Sequence, residues 1–159
     1  MNSDIDIVNK NPIMSKSTTL YRILSLLLTI NYYKKKWGRK PWKGMDMRLI
    51  QVYLWGLSGS ENADCLSGIG RNGAFSDIPF AYNASAMQLL AYCYVNGFLS
   101  MEKASGDTVY DLTPKAYVLL TTLNNDDLRK EIDAELEKIG VITKKSIKQL
   151  RIDWKYVAC

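Results

Sequence analysis

A chain of 159 residues and 18.1 kDa, 47% hydrophobic and 23% charged, has the size and composition of one globular domain that buries a core without staples. Its net charge of +5 permits an acidic partner without identifying one. The chain has no histidine and only three scattered cysteines, Cys65, Cys93 and Cys159, so the usual zinc spacings and the Ser/His and Cys/His nucleophile pairs are absent, and free thiols fit a reducing cytoplasm.

Residues 1–16 mix charge, Asn and Pro without a sustained period and read as an N-terminal arm; 17–159 read as a single domain. Ser17 or Thr18 can cap a helix running to about residue 33 or 36. Leu20, Ile23 or Leu24, Leu27 and Leu28 recur at helical spacing, and Leu26 and Ile30 widen the stripe, which predicts a helix covered on more than one side. The run "LYRILSLLLTI" is too short for a membrane span, is interrupted by Arg22 and is followed by "KKK". Next comes a loop, "KKKWGRKPWKG", and then a helix over "MDMRLIQVYLWGL".

The segment from 58 to 83 is polar and Gly-rich, and a loop of that length predicts a short element of its own, a helix near "ENADCL". Asn83 or Ser85 begins another helix, stopped by Gly97 at a left-handed cap. "FLSMEK" and "TVYDL" around "ASGD" read as a hairpin whose Leu99, Met101, Tyr110 and Leu112 face the helices. Thr113 stands at an N-cap with Pro114 at the first helical position, opening a return helix to about 123. From about 125 two C-terminal helices follow. Asn125 or Asp126 caps the first, whose narrow seam is Leu128, Ile132, Leu136 and Ile139 and whose stop is Gly140; Thr143 caps the second. The order predicts an α+β, mainly α, winged-helix-like domain with a two-stranded wing and two additional C-terminal helices.

Shape of this kind raises the question of DNA. A winged helix reads bases with Arg, Lys, Asn and Gln on its third helix. Here that helix, "NASAMQLLAYCYVNG", holds no Arg or Lys and is dominated by Leu89, Leu90, Tyr92 and Tyr94. The wing sets Lys103 against Glu102 and Asp107, which does not attract phosphate. Positive charge gathers instead at Lys34, Lys35, Lys36, Arg39, Lys40, Lys43 and Arg48, with Trp37 and Trp42 interleaved. Two readings of that stretch stand: contacts to a DNA backbone or an acidic partner, or a solvated loop whose tryptophans tuck into the core. A second basic run, Lys144, Lys145, Lys148, Arg151 and Lys155, reads as the exposed face of the last helix.

"GIGRNG" (68–73) matches the dinucleotide fingerprint by letter, yet no strand precedes it and no helix start follows, so a chance match in a loop is the better reading. No cofactor or metal is expected. The acids of 126–137 suit a helix N-terminal turn and a solvent face. Trp55 is a core residue or an interface anchor.

Four phrases occur in order: "LIQVYLWGLSGSEN" (49–62), "IPFAYNASAMQLLAYCYVNGFLS" (78–100), "YDLTPKAYVLL" (110–120) and "LEKIGVITKKSIKQLRIDW" (136–154). Together they resemble the middle component of bacterial ABC-three-component anti-phage defence systems, the group that includes Lamassu. The resemblance rests on Trp55, Leu57, Glu61 and Asn62, on Ile78, Phe80 and Asn83, on Asn96, Gly97, Phe98 and Leu99, and on Leu112, Thr113 and Lys115. The chain has Ala116 where the pattern has Gly, and Asn96 where an acid is usual.

What the resemblance implies is a non-catalytic cytoplasmic adaptor. It would sit in a hetero-oligomer, linking an SMC-like ABC ATPase that senses DNA to an effector nuclease. Interface candidates are then Trp55, Glu61, Asn62, Phe80, Tyr82, Tyr92, Tyr94, Lys103 and Trp154, with direct DNA contact weak and non-specific. The competing expectation is a winged-helix transcriptional regulator that binds DNA through its basic loop.

Overall fold

A computed structural model describes residues 18–38, 41–72, 84–124 and 126–144, with side chains described throughout except at 68–72 and 84. It is an α+β fold, mostly helical, with six helices and a three-stranded antiparallel sheet among the described residues. The arm at 1–16, the second C-terminal helix beyond residue 144, and Arg39, Lys40, Phe80, Tyr82 and Trp154 lie outside them.

The centre is α1 (Thr19–Lys36), capped by the Thr18 hydroxyl, which accepts from the Tyr21 amide. Every residue from Ile23 to Ile30 is buried, because α1 is enclosed by the other helices and the sheet. The wide apolar stripe required this: a helix apolar on most sides is stable only when covered on most sides. Leu20, at the exposed first turn, is the exception. No described helix is long and apolar enough to cross a membrane.

After α1 come β1 (Met45–Asp46), α2 (Met47–Leu57) and α3 (Ser60–Asn72). Two expectations are corrected here. Met45 and Asp46 do not begin the helix; they pair with Tyr110 and Val109 as a third strand, and Asp46 caps α2 by accepting from the Arg48 amide at 2.8 Å. Residues 68–72 of the "GIGRNG" phrase lie in helix rather than loop. The helix is longer than its local sequence suggests because Ala63 and Leu66 are fully buried in the core, and α3 packs along α2 and α6.

Next, α4 (Ala84–Val95) ends at Gly97, where the Phe98 amide donates to the Cys93 carbonyl and the Gly97 amide to that of Tyr94. This paired closure with Gly97 at φ 80° is the left-handed stop the sequence called for. Strands β2 (Leu99–Ala104) and β3 (Asp107–Leu112) pair antiparallel across Ser105 and Gly106, both at positive φ, a two-residue turn whose twist suits the strands. The sheet order is β1-β3-β2, so the hairpin is joined by a third strand rather than standing as two. Leu99, Tyr110 and Leu112 are buried as expected, but Met101, further along the edge strand, is 46% exposed.

Thr113 opens α5 (Pro114–Thr122) with its side chain accepting from Ala116, while its hydroxyl donates to the Gly97 carbonyl at 2.5 Å. One residue thus starts a helix and closes the base of the hairpin. Asp126 caps α6 (Asp127–Ile139), and Ile132, Leu136 and Ile139 are buried along the seam.

Candidate functional site

Two surfaces carry the sequence-derived candidates: the exposed side of α4 with the hairpin, and the basic stretch around the end of α1. Ala86, Leu89, Leu90 and Cys93 form the buried stripe of α4 at helical spacing. Gln88, Ala91, Tyr92 and Val95 form the opposite, exposed stripe, and Tyr94 flanks it. Tyr92 is 48%, Tyr94 47% and Val95 79% exposed, and the described part of the helix contains no ionised side chain. Large apolar groups on an uncharged helix are costly to leave in water, which marks the face as unusual for a free surface.

The frame behind this face is cross-tied by side-chain contacts. The Lys115 ammonium donates to the Asn96 carbonyl at 2.8 Å and sits 4.7 Å from the Phe98 ring centroid, so it occupies the negative end of α4. Gly97, Phe98, Thr113 and Lys115, the phrases that carried the resemblance, are therefore the joints between α4, the hairpin and α5. Val118, one turn along from Lys115, adds a further exposed apolar group on α5.

The other interface candidates divide. Asn62 donates from Nδ2 to the Trp55 carbonyl at 3.0 Å and to Ser58 Oγ at 3.1 Å, tying off the turn between α2 and α3. Glu61 is exposed in the first turn of α3, where a carboxylate favours the positive helix end. Trp55 is half-buried against the core. Lys103 is exposed on β2, opposite Thr108. Its expected opponent Asp107 is turned elsewhere, pairing with Arg48 and Lys144.

Of the five described cations of the basic stretch, three are paired within the chain. Lys34 reaches Tyr117 Oη at 3.0 Å and Asp111 at 3.5 Å. The hydrogen bond with Tyr117, seconded by the Asp111 carboxylate, raises the Lys34 pKa against the opposing pull of partial burial. Arg48 spans Asp46 and Asp107 at 3.3 and 3.5 Å, and Lys36 lies 3.8 Å from Glu137. Lys35 and Lys43 are exposed and form no ion pair among the described residues. Trp37 and Trp42 pack edge-on at 5.7 Å against each other, and both lie tilted against the Tyr33 ring. Both are half-buried against the core.

A feature that sequence reasoning missed is the fastening of residues 140–144. The Tyr53 hydroxyl donates to the Gly140 carbonyl at 2.6 Å and accepts from the Ile142 amide at 2.9 Å, while Tyr33 donates to the Ile142 carbonyl at 3.1 Å. Burial raises the pKa of both phenols, that of Tyr33 to about 12. Lys144, expected on the exposed face of a last helix, reaches Asp107 at 3.3 Å and the buried Asp46 at 3.7 Å. No local signal could have found these contacts, since the partners lie 37 to 109 residues apart.

Between α1 and α6 lies an open cleft of about 390 Å³, lined by residues including Tyr32, Lys35, Lys36, Arg129, Asp133 and Glu137. Four of its five charges are paired: Arg129 holds Asp133 at 3.7 Å and Lys36 lies 3.8 Å from Glu137, which leaves Lys35. Among the described residues no group of three or more His, Cys, Asp or Glu side chains could hold a metal ion. Comparison of the chain with family models, with curated proteins and with solved structures finds no match.

Proposed function

We propose that this chain is a winged-helix adaptor whose third-helix position, occupied by α4, grips protein instead of DNA. The observation that carries the reading is the exposed, uncharged stripe of α4 with Tyr92 and Val95 at its centre. Support for the winged-helix shape comes from the strand order β1-β3-β2, from β1 lying between α1 and α2, and from α4 leading directly into the hairpin. Affinity for nucleic acid depends on free cations, and the face that would enter a groove has none on its helix.

Aromatic anchors on an apolar patch favour a protein partner. Together with the resemblance, this points to a non-catalytic cytoplasmic subunit of an anti-phage or anti-plasmid complex. The partners are an SMC-like ABC ATPase and an effector nuclease. The test is co-expression of the tagged chain with its genomic neighbours, followed by size-exclusion chromatography with light scattering. A stable hetero-oligomer that Val95→Asp dissolves, with unchanged circular dichroism of the variant, is the expected result. Recovery of the chain only as a monomer beside those neighbours would sink the adaptor reading. Tight binding to one DNA sequence that survives competitor DNA would favour the regulator instead.

A further inference from the structure

We infer that residues 140–144 are a two-stage strap whose ionic end sets the position of the turn end of the hairpin against β1 and can release without unfolding the helices. The strap begins where Gly140 ends α6, and it crosses α1, α2 and the sheet in five residues. Its inner stage is buried: Ile142 is 1% exposed, and both its amide and its carbonyl are held by tyrosine hydroxyls from the two helices. Its outer stage is ionic. Lys144 and Arg48 together face Asp46 of β1 and Asp107, the first residue of β3.

The two stages differ in what loosens them. Neutral hydrogen bonds buried in an apolar site respond little to salt, whereas Lys144 and Asp107 are 45% and 36% exposed and are screened by it. Among the described residues two pairs join β1 to β3, Met45 with Tyr110 and Asp46 with Val109, so Asp46 belongs to this ladder and Asp107 lies two residues before it. Lys144 neutralises the repulsion between these carboxylates together with Arg48. Without Lys144, one guanidinium faces two carboxylates, and the short β1–β3 ladder is where the strain falls. The turn end of the hairpin then loosens from β1 while Tyr33, Tyr53 and Ile142 keep the strap's inner end in place. The device stands whether or not the α4 and hairpin face holds a partner, because its readout is the isolated chain.

Amide hydrogen exchange on the purified chain tests it, comparing 0.1 M with 1 M KCl and wild type with Lys144→Ala. Amides of Met45, Asp46, Val109 and Tyr110 are expected to exchange about fivefold faster in high salt or in the variant, while α1 amides do not change. Lys144→Arg should restore the wild-type rates. Asp107→Asn, which relieves the repulsion, should make the added loss of Lys144 nearly silent in the double variant. Unchanged exchange at the β1–β3 ladder in Lys144→Ala, or acceleration spread equally over α1, would overturn the two-stage strap.

Discussion

Lys34, Lys36 and Arg48 lie in the most basic stretch of the chain, and each is met by a carboxylate from a distant element. The described part of α4 is the opposite case, with no ionised group, and yet it presents Tyr92, Tyr94 and Val95 to solvent. In the stretch that looks built for a partner, three of the five described cations are paired within the chain; the helix that looks like core keeps half of its bulk outside. Charge count in a sequence measures what could bind, whereas exposure and internal pairing decide what is left over to bind. Among the described residues of the basic stretch, what is left over is Lys35 and Lys43.

The sharpest break of this comparison targets Asp46, the acid at which the basic stretch closes on itself. Its side chain is 3% exposed, accepts from the Arg48 amide as the cap of α2, and lies between Arg48 and Lys144. Asp46→Ala removes the cap and leaves two cations without their shared buried partner. A loss of about 2–3 kcal/mol, from the cap and the charge-assisted hydrogen bond together, is expected in urea unfolding. A loss below about 1 kcal/mol would mean that the cations are in fact free for an outside ligand.

Trp42→Ala and Tyr92→Ala compare the two regions directly. Trp42 is half-buried with its ring against Trp37 and Tyr33, so its removal should cost about 2–3 kcal/mol of folding stability. Tyr92 makes its larger contribution to the surface, and Tyr92→Ala should fall within about 0.5 kcal/mol of wild type. The same unfolding curves measure both. Reversal of that order would transfer the contact role to the tryptophans and the packing role to α4.

How much of this was legible follows from how far each signal reaches along the chain. Helix ends were readable because their chemistry is local: Thr18, Thr113 with Pro114, Asp126 and Gly140 each act within four residues of themselves. The alternation that placed Leu99, Tyr110 and Leu112 in the core was local too, and it failed at Met101 because β2 is an edge strand. The strand at Met45–Asp46 has two residues and no pattern; it exists because β3 pairs with it. Likewise α3 runs through 68–72, past Gly68 and Gly70, although propensity argues against it, since α2 and α6 supply the packing. For the candidate site, the absence of charge on α4 was visible from the start, and its exposed stripe was half-visible. The neutralisation of the basic stretch was not, because Asp107 and Asp111 lie some sixty to eighty residues away from Arg48 and Lys34.

The smallest expected effect concerns the cations that remain. If a random 20-base-pair duplex binds the isolated chain at all, each lysine in contact with phosphate contributes about 0.9 to the slope of log K against log salt. Lys35→Ala and Lys43→Ala should each lower that slope by about this amount, with stability unchanged within about 0.5 kcal/mol. Lys34→Ala should do the reverse, leaving the slope alone while costing stability, because its ammonium is committed to Tyr117 and Asp111. Fluorescence anisotropy across a salt series, with urea unfolding of the same variants, separates the two behaviours. If Lys34→Ala lowers the slope like the others, the internal pairing yields to phosphate and the basic stretch regains its place as a nucleic-acid contact. If only the exposed pair matters, DNA touches the basic stretch at two points at most among its described cations, and the uncharged face of α4 is the stronger candidate for contact with a partner.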